Sequence, residues 1–92
     1  MPAVIRGRCV GAESKVGVPF LIVSVDGLTT TTSVAGDFEI QVVPRAAPYS
    51  LRIRSPVHKP VTLSLNITEE RLYDLGIVEM VTAIFGYGEL PR

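Results

Sequence analysis

The feature that most constrains this chain is a period of two in its apolar residues. Phe38, Ile40 and Val42 alternate with Glu39 and Gln41. Tyr49, Leu51 and Ile53 alternate with Ser50, Arg52 and Arg54. Val61, Leu63, Leu65 and Ile67 alternate with Thr62, Ser64 and Asn66. Successive side chains of an extended strand point to opposite faces, so each stretch buries one face and wets the other. A helix would scatter the same residues around its whole circumference. The residue types agree, because β-branched and aromatic side chains suit a pleated, half-buried surface.

Further strands flank these. Ile5, Gly7 and Cys9 alternate with Arg6 and Arg8. Residues 20–25 are apolar on both faces apart from Ser24, which predicts a strand covered from both sides. The β-branched run of residues 29–32 is expected to pair back on it across an Asp26-Gly27 turn. Val34-Ala35-Gly36-Asp37 reads as a second turn, with Gly36 available for positive φ. Residues 44–48 and 56–60 are breaks bounded by prolines, which cannot donate to a central ladder. Residues 68–75 read as a polar turn rather than a helix, since Gly76 stops any continuation, and a last strand follows over residues 73–81. Short strands at near-regular spacing predict an all-β, seven-stranded antiparallel immunoglobulin-like sandwich over residues 1–81. Residues 82–92 remain as an apolar, Gly-containing tail, expected to form an extra strand or an interface arm.

Composition narrows the function classes. Ninety-two residues make one domain, with a core sufficient without staples. A single Cys excludes an internal disulfide framework, and with a single His it leaves no set of side chains to ligate zinc, so no cofactor is expected. Nine acidic residues balance nine basic ones, which argues against a nucleic-acid module. The longest apolar run, residues 16–25, is interrupted by Gly17, Pro19 and Ser24, so no membrane span is expected. The first residues show no basic stretch followed by an apolar run of the signal-peptide kind.

Ile5-Arg6-Gly7-Arg8-Cys9, residues 32–38, Pro44 with Tyr49-Ser50-Leu51-Arg52-Ile53, and Asp74-Leu75-Gly76-Ile77-Val78, taken in that order, are similar to segments of the carboxypeptidase regulatory-like domain family. Ile5-Arg6-Gly7-Arg8-Cys9 resembles its I-x-G-x-V opening strand, with Cys9 in place of Val. Residues 32–38, Thr-Ser-Val-Ala-Gly-Asp-Phe, resemble its T-D-x-x-G-x-F hairpin, with Ser33 and Ala35 replacing acidic turn residues. Pro44 with Tyr49-Ser50-Leu51-Arg52-Ile53 resembles its P-x-G-x-Y-x-L-x-V segment, although Pro48 stands where a Gly is usual. Asp74-Leu75-Gly76-Ile77-Val78 resembles its closing D-x-G-x-I strand. The resemblance covers residues 5–80. It implies a transthyretin-like (prealbumin-like) sandwich, a non-catalytic accessory role and an extracytoplasmic setting. The transthyretin fold also has a branch that hydrolyses 5-hydroxyisourate with several His and Arg residues and a Tyr-Arg-Gly-Ser ending. A single His58 and the segment of residues 85–92 do not match it.

No catalytic constellation emerges from the residues themselves. His58 lies between Pro56 and Pro60, where an exposed loop is expected. Cys9 shares a strand face with Ile5 and reads as a small buried hydrophobe, an intermolecular disulfide being the alternative. Asp26 and Asp37 are explained by turn hydrogen bonds. Asn66-Ile67-Thr68 is a glycosylation sequon on an outward face.

Charge is balanced overall but not locally. Residues 41–68 hold Arg45, Arg52, Arg54 and Lys59 without an acid, whereas the acids Glu69, Glu70, Asp74, Glu79 and Glu89 follow. Arg52 and Arg54 share one outward strand face, and Ile84, Phe85 and Tyr87 make the tail apolar. These five are the candidate interaction residues. They suggest a structural or protein-interaction module, self-associating or docking through a strand edge and the tail. The alternative is a carbohydrate- or ligand-binding accessory domain, with Tyr73 and Tyr87 as the remaining aromatic platforms. A transthyretin-like hydrolase comes third.

Overall fold

The computed structural model describes residues 2–83. Seven strands occur in it: β1 (Ala3–Gly11), β2 (Ile22–Val25), β3 (Leu28–Thr31), β4 (Asp37–Val42), β5 (Tyr49–Ser55), β6 (His58–Leu65) and β7 (Leu72–Met80). They form a three-stranded sheet, β4-β1-β7, and a four-stranded sheet, β3-β2-β5-β6. The expected sandwich is present. The tail reading for Ile84, Phe85 and Tyr87 lies outside the described residues.

The sheets are not wholly antiparallel, as the alternation had suggested. β1 and β7 run parallel, whereas β1 and β4, β2 and β3, β2 and β5, and β5 and β6 are antiparallel. The reason is parity. Each connection reverses the chain, so odd-numbered strands share one direction and even-numbered strands the other. Pairing β1 with β7 joins two odd strands, and their ladder must be parallel. It also fixes the ends. β1, β3, β5 and β7 all finish at one end of the sandwich, where β2, β4 and β6 begin.

The period-two faces meet in the middle. Ile5 and Cys9 of β1, Val23 and Val25 of β2, Phe38 and Ile40 of β4, and Leu51 and Ile53 of β5 are buried together with Leu21, Ile67 and Met80. Gly7 of β1 lies opposite Phe38, and a Cβ there would come within 3.0 Å of the Phe38 ring. The missing side chain is what lets the ring lie over β1.

Three local features depart from the sequence reading or explain it. The Asp26-Gly27 turn takes positive φ at both residues (51° and 85°), the conformation a two-residue type I′ hairpin requires. The Thr-to-Phe segment of residues 32–38 is not a hairpin within one sheet; it carries the chain from β3 in one sheet to β4 in the other. In β7 the register shifts, with Arg6 opposite Asp74 but Arg8 opposite Ile77. The extra residue is a bulge at which Gly76 adopts φ 71° and its N–H donates to Asp74 Oδ1 at 2.9 Å. That bulge is the physical content of the Asp-x-Gly signal.

Two expectations are corrected. Residues 20–25 do not form a strand covered on both faces. The strand begins at Ile22; Leu21, Val23 and Val25 point inward, and Phe20 and Ile22 point to solvent. Nothing among the described residues layers over the outside of the four-stranded sheet. His58 is not in a loop but opens β6, half-buried, with Nδ1 2.7 Å from Ser55 Oγ. Pro60 is tolerated within β6 because the β5–β6 register shifts between Ile53 and Ser55, leaving it at an irregular point of an outer strand.

Candidate interaction surface

The outer face of the four-stranded sheet is built by register. Val23 and Val25 of β2 are buried, so Ile22 and Ser24 face out. Ser24 lies opposite Thr29 of β3 on one side and Arg52 of β5 on the other, and Arg52 lies opposite Thr62 of β6. One row along, Ile22 lies between Thr31 and Arg54. Ser50 lies opposite Ser64. The result is a flat face of hydroxyls with two guanidinium groups at its centre, about 7 Å apart for residues two positions along a strand.

No strand of this sheet contains Asp or Glu. The other arginines among the described residues are engaged. Arg8 pairs with Asp37 at 2.9 Å, Arg6 with Asp74 at 3.3 Å, Arg45 with Asp26 at 3.2 Å and Arg71 with Glu69 at 3.4 Å. Lys15 pairs with Glu79 at 2.6 Å. Among the described residues, Arg52 and Arg54 have no such partner, and neither does Lys59 at the start of β6. The sequence reading singled out both arginines, and the structure brings them together on one face. Arg45, from the same acid-free stretch, is instead structural. It donates to the carbonyls of Ala47 and Pro48 and lies 3.7 Å over the Tyr49 ring, while the Tyr49 hydroxyl donates to the carbonyl of Val43.

The opposite sheet carries the acids. A shallow groove of about 450 Å³ is lined by Arg6, Arg8, Asp37, Glu39, Asp74 and Ile77 among others. Four of its charges are paired, Arg6 with Asp74 and Arg8 with Asp37. The Gly76 N–H and then Arg6 hold the Asp74 carboxyl below its usual range, partly opposed by desolvation, and hydrogen bonding to Asp37 raises the Arg8 guanidinium. A carboxylate made more acidic in this way is a poor general base. The Cys9 thiol, buried beneath, is pushed up to about 11 by desolvation, so it is protonated and unreactive at neutral pH. Among the described residues no group of three His, Cys, Asp or Glu converges as a metal site, and no helix is long and apolar enough to cross a membrane.

Tyr73, the described member of the aromatic pair considered for carbohydrate, is half-buried against the core, and Arg71 lies 4.1 Å over its ring. Its hydroxyl accepts from the Glu69 N–H at 3.0 Å. Desolvation pushes that phenol up, but the hydrogen bonds from Glu69 and Thr68 and the Arg71 charge bring it below its ordinary value. The ring is a structural element rather than a free platform. Asn66 is exposed, as expected.

One feature escaped the sequence reading. Phe20 is 69% exposed and has φ 60°. It is held there by Thr32, which is 1% exposed. The Thr32 hydroxyl donates to the Val18 carbonyl at 2.8 Å and accepts from the Leu21 N–H at 2.9 Å. The Thr32 carbonyl accepts from the Phe20 N–H at 3.0 Å. The available signal was parity: if Leu21, Val23 and Val25 are inward, Phe20 and Ile22 must be outward.

No protein-family model and no characterised protein matches the sequence. Solved structures do. A 9R-lipoxygenase from Cyanothece PCC8801 aligns over 94% of this chain and 17% of its own, at 16% identity and a TM-score of 0.63. The group B streptococcus pilus 2b backbone protein aligns over 87% of this chain and 41% of its own, at 11% identity and a TM-score of 0.61. A type II cohesin–X-dockerin complex from Acetivibrio cellulolyticus aligns over 90% of this chain and 58% of that one, at 13% identity and a TM-score of 0.63. The chain thus spans less than two thirds of each. At these identities the likeness shows the fold alone. It is an immunoglobulin-like sandwich.

Proposed function

We propose that this chain is a non-enzymatic protein-interaction module that sets the outer face of its four-stranded sheet against an acidic surface of a partner protein. The observation that carries the reading is the pair of unengaged guanidiniums, Arg52 and Arg54, on a face without acid. Four strands about 4.8 Å apart and about five residues long offer roughly 300 Å², against about 800 Å² per partner in a stable interface. Contact through this face alone is therefore transient, with charge supplying orientation and on-rate more than affinity.

A second reading, strand addition, is favoured by the β6 edge. The segment after β7 already pairs with the first residues of that edge, the Lys59 N–H donating to the Val81 carbonyl and the Ala83 N–H to the Val57 carbonyl. Among the described residues nothing pairs with the rest of this β6 edge, which can take a strand from a second copy or another protein. The similarity to a pilus backbone protein and a cohesin–X-dockerin complex supports a docking role and an extracytoplasmic setting. The finer resemblance to carboxypeptidase regulatory-like domains supports the same role.

Titration of the full chain with an oligo-glutamate peptide at low salt, followed by amide chemical shifts, tests the reading. Shifts should centre on Ser24, Arg52, Arg54 and Thr62 and vanish in the Arg52→Glu/Arg54→Glu variant. Shifts that persist in that variant, or that map to the opposite sheet, refute it. A mass in solution that rises with concentration, with perturbation along β6, would favour strand addition instead.

A further inference from the structure

We infer that the acidic partner surface is the outer face of the three-stranded sheet on a second copy of this chain, so that copies stack face to face in an open column. The inference rests on the proposed function and names its partner. Register lays the second face out in rows. Glu39 of β4, Arg6 of β1 and Asp74 of β7 lie side by side, and one row along so do Asp37, Arg8 and Ile77. Arg6 is committed to Asp74, Arg8 to Asp37, and Glu79 is held by Lys15. Among the described residues Glu39 is left exposed and without an ion-pair partner. The strands of this sheet carry four acids, Asp37, Glu39, Asp74 and Glu79, against two arginines.

The two faces match in spacing, shape and charge. Arg52 and Arg54 stand two residues apart on β5, and Asp37 and Glu39 two residues apart on β4, so each pair spans about 7 Å. Both arginines are exposed on a flat face. The opposite face holds the groove of about 450 Å³ between Arg6, Arg8, Asp37, Glu39 and Asp74, which long side chains can enter. Glu39 offers an unshared carboxylate there. Asp37 accepts two hydrogen bonds from Arg8, at 2.9 and 3.4 Å. A carboxylate has about four acceptor sites, so Asp37 can take a second guanidinium as well. Each face also exposes aliphatic side chains, Ile22 on one and Leu72 and Ile77 on the other.

A second copy is the occupant because both halves of the contact belong to one molecule and lie on opposite sides of it. The separation of charge between the sheets gives each copy a dipole normal to them. Such dipoles attract when the basic face of one copy meets the acidic face of the next. Joining two different faces is a heterologous contact. It leaves one face of each kind free at the ends, so it propagates instead of closing at a dimer. With about 300 Å² per face against about 800 Å² in a stable interface, each contact is weak. The column therefore lengthens with concentration and dissolves in salt.

Sedimentation of the full chain tests this at about 0.01 M salt, where charges act over about 30 Å, and at about 1 M, where they act over about 3 Å. At low salt the average mass should climb with concentration past that of a dimer, and at high salt it should stay at one chain. Arg52→Glu/Arg54→Glu makes both faces acidic, Glu39→Arg tips both to basic, and each variant alone should remain a single chain. Their equimolar mixture should assemble again, because each then offers a face of opposite sign to the other. Glu13→Arg, the same change of charge in the β1–β2 connection, should assemble like the parent. A full chain that stays single at low salt, assembly that survives either face variant, loss of assembly in Glu13→Arg, or a mixture no larger than its parts overturns the inference. So do amide shifts along the β6 edge in place of Glu39, Arg52 and Arg54, which would assign the assembly to strand addition. A single chain that still shows the oligo-glutamate shifts at Arg52 and Arg54 sinks this inference and leaves the proposed function standing, whereas loss of those shifts sinks the proposed function itself.

Discussion

Replacing Thr32 by Val isolates the energetics of the buried clamp. Valine keeps the shape of threonine, so no cavity forms and no strand is disturbed. What disappears is one hydroxyl that satisfies two backbone groups, the Leu21 N–H at 2.9 Å and the Val18 carbonyl at 2.8 Å. Leu21 and Thr32 are both buried, so water cannot readily replace the lost acceptor. A buried donor left unpaired costs about 1–3 kcal/mol, and the half-buried carbonyl adds about 0.5–1 kcal/mol. The expected loss is roughly 2–4 kcal/mol, which in a domain of this size lowers the melting temperature by about 10–25 °C.

Thr32→Ser provides the control. It retains both hydrogen bonds and loses a methyl group, a cost of about 1 kcal/mol. Urea unfolding followed by far-ultraviolet circular dichroism should rank the full chain first, Thr32→Ser second and Thr32→Val last, with equal slopes. The Leu21 amide should also lose its protection from hydrogen exchange in Thr32→Val alone. A Val variant as stable as the Ser variant would refute the reasoning, because it would mean that shape and not hydrogen bonding holds the connection.

Other outcomes follow from single contacts. Gly36→Ala should destabilise by more than about 3 kcal/mol, since Gly36 has φ 89° and its Cβ would fall 2.2 Å from the Cys9 carbonyl oxygen; a urea midpoint within error of the parent would contradict this. Cys9 should resist a thiol-specific disulfide reagent at pH 8 in the folded protein and react promptly in urea, whereas fast labelling of the native state would show that the thiol is not sealed. The Asp74 carboxyl is depressed on folding, so the unfolded state binds its proton first as pH falls. Its contribution to stability is present above the ordinary carboxylate range near pH 4 and is lost as pH drops through the folded value. The urea midpoint of Asp74→Asn should therefore fall less steeply between pH 5 and pH 2 than that of the parent, and parallel curves would count against the Gly76 and Arg6 contacts.

Much of the fold was legible because burial in a sheet obeys parity. The alternations in β4, in β5 and along residues 61–67 place Phe38, Ile40, Leu51, Ile53 and Ile67 in the core correctly. The same rule, carried one step further, would have turned Phe20 outward. An apolar residue in an apolar run gives no polar neighbour to set its phase, and such a run predicts a strand covered on both sides. His58 was misplaced for a different reason. Prolines on either side suggest a break, but an outer strand tolerates proline where its ladder is irregular. The ion pairs were not legible at all. Arg6 and Asp74 are 68 positions apart, and only the parallel pairing of β1 with β7 brings them together. Consequently the sequence could show that the middle of the chain was basic, but not which of its cations were spent internally.

That distinction changes what the zero net charge means. The strands of the four-stranded sheet carry Arg52, Arg54 and Lys59 and no acid, whereas those of the three-stranded sheet carry Asp37, Glu39, Asp74 and Glu79 against Arg6 and Arg8. The two layers of a sandwich lie about 10 Å apart, close to the screening length at about 0.1 M salt. A neutral molecule of this kind is polarised across its thin dimension. Facing an acidic surface, it turns its hydroxyl and guanidinium face inward before any contact forms. Reversing Arg52 and Arg54 would remove that orientation, whereas neutralising Arg6 or Arg8 would free a carboxylate on the far side and strengthen it. The two pairs of arginines therefore act in opposite directions on the same encounter, although they contribute equally to the net charge.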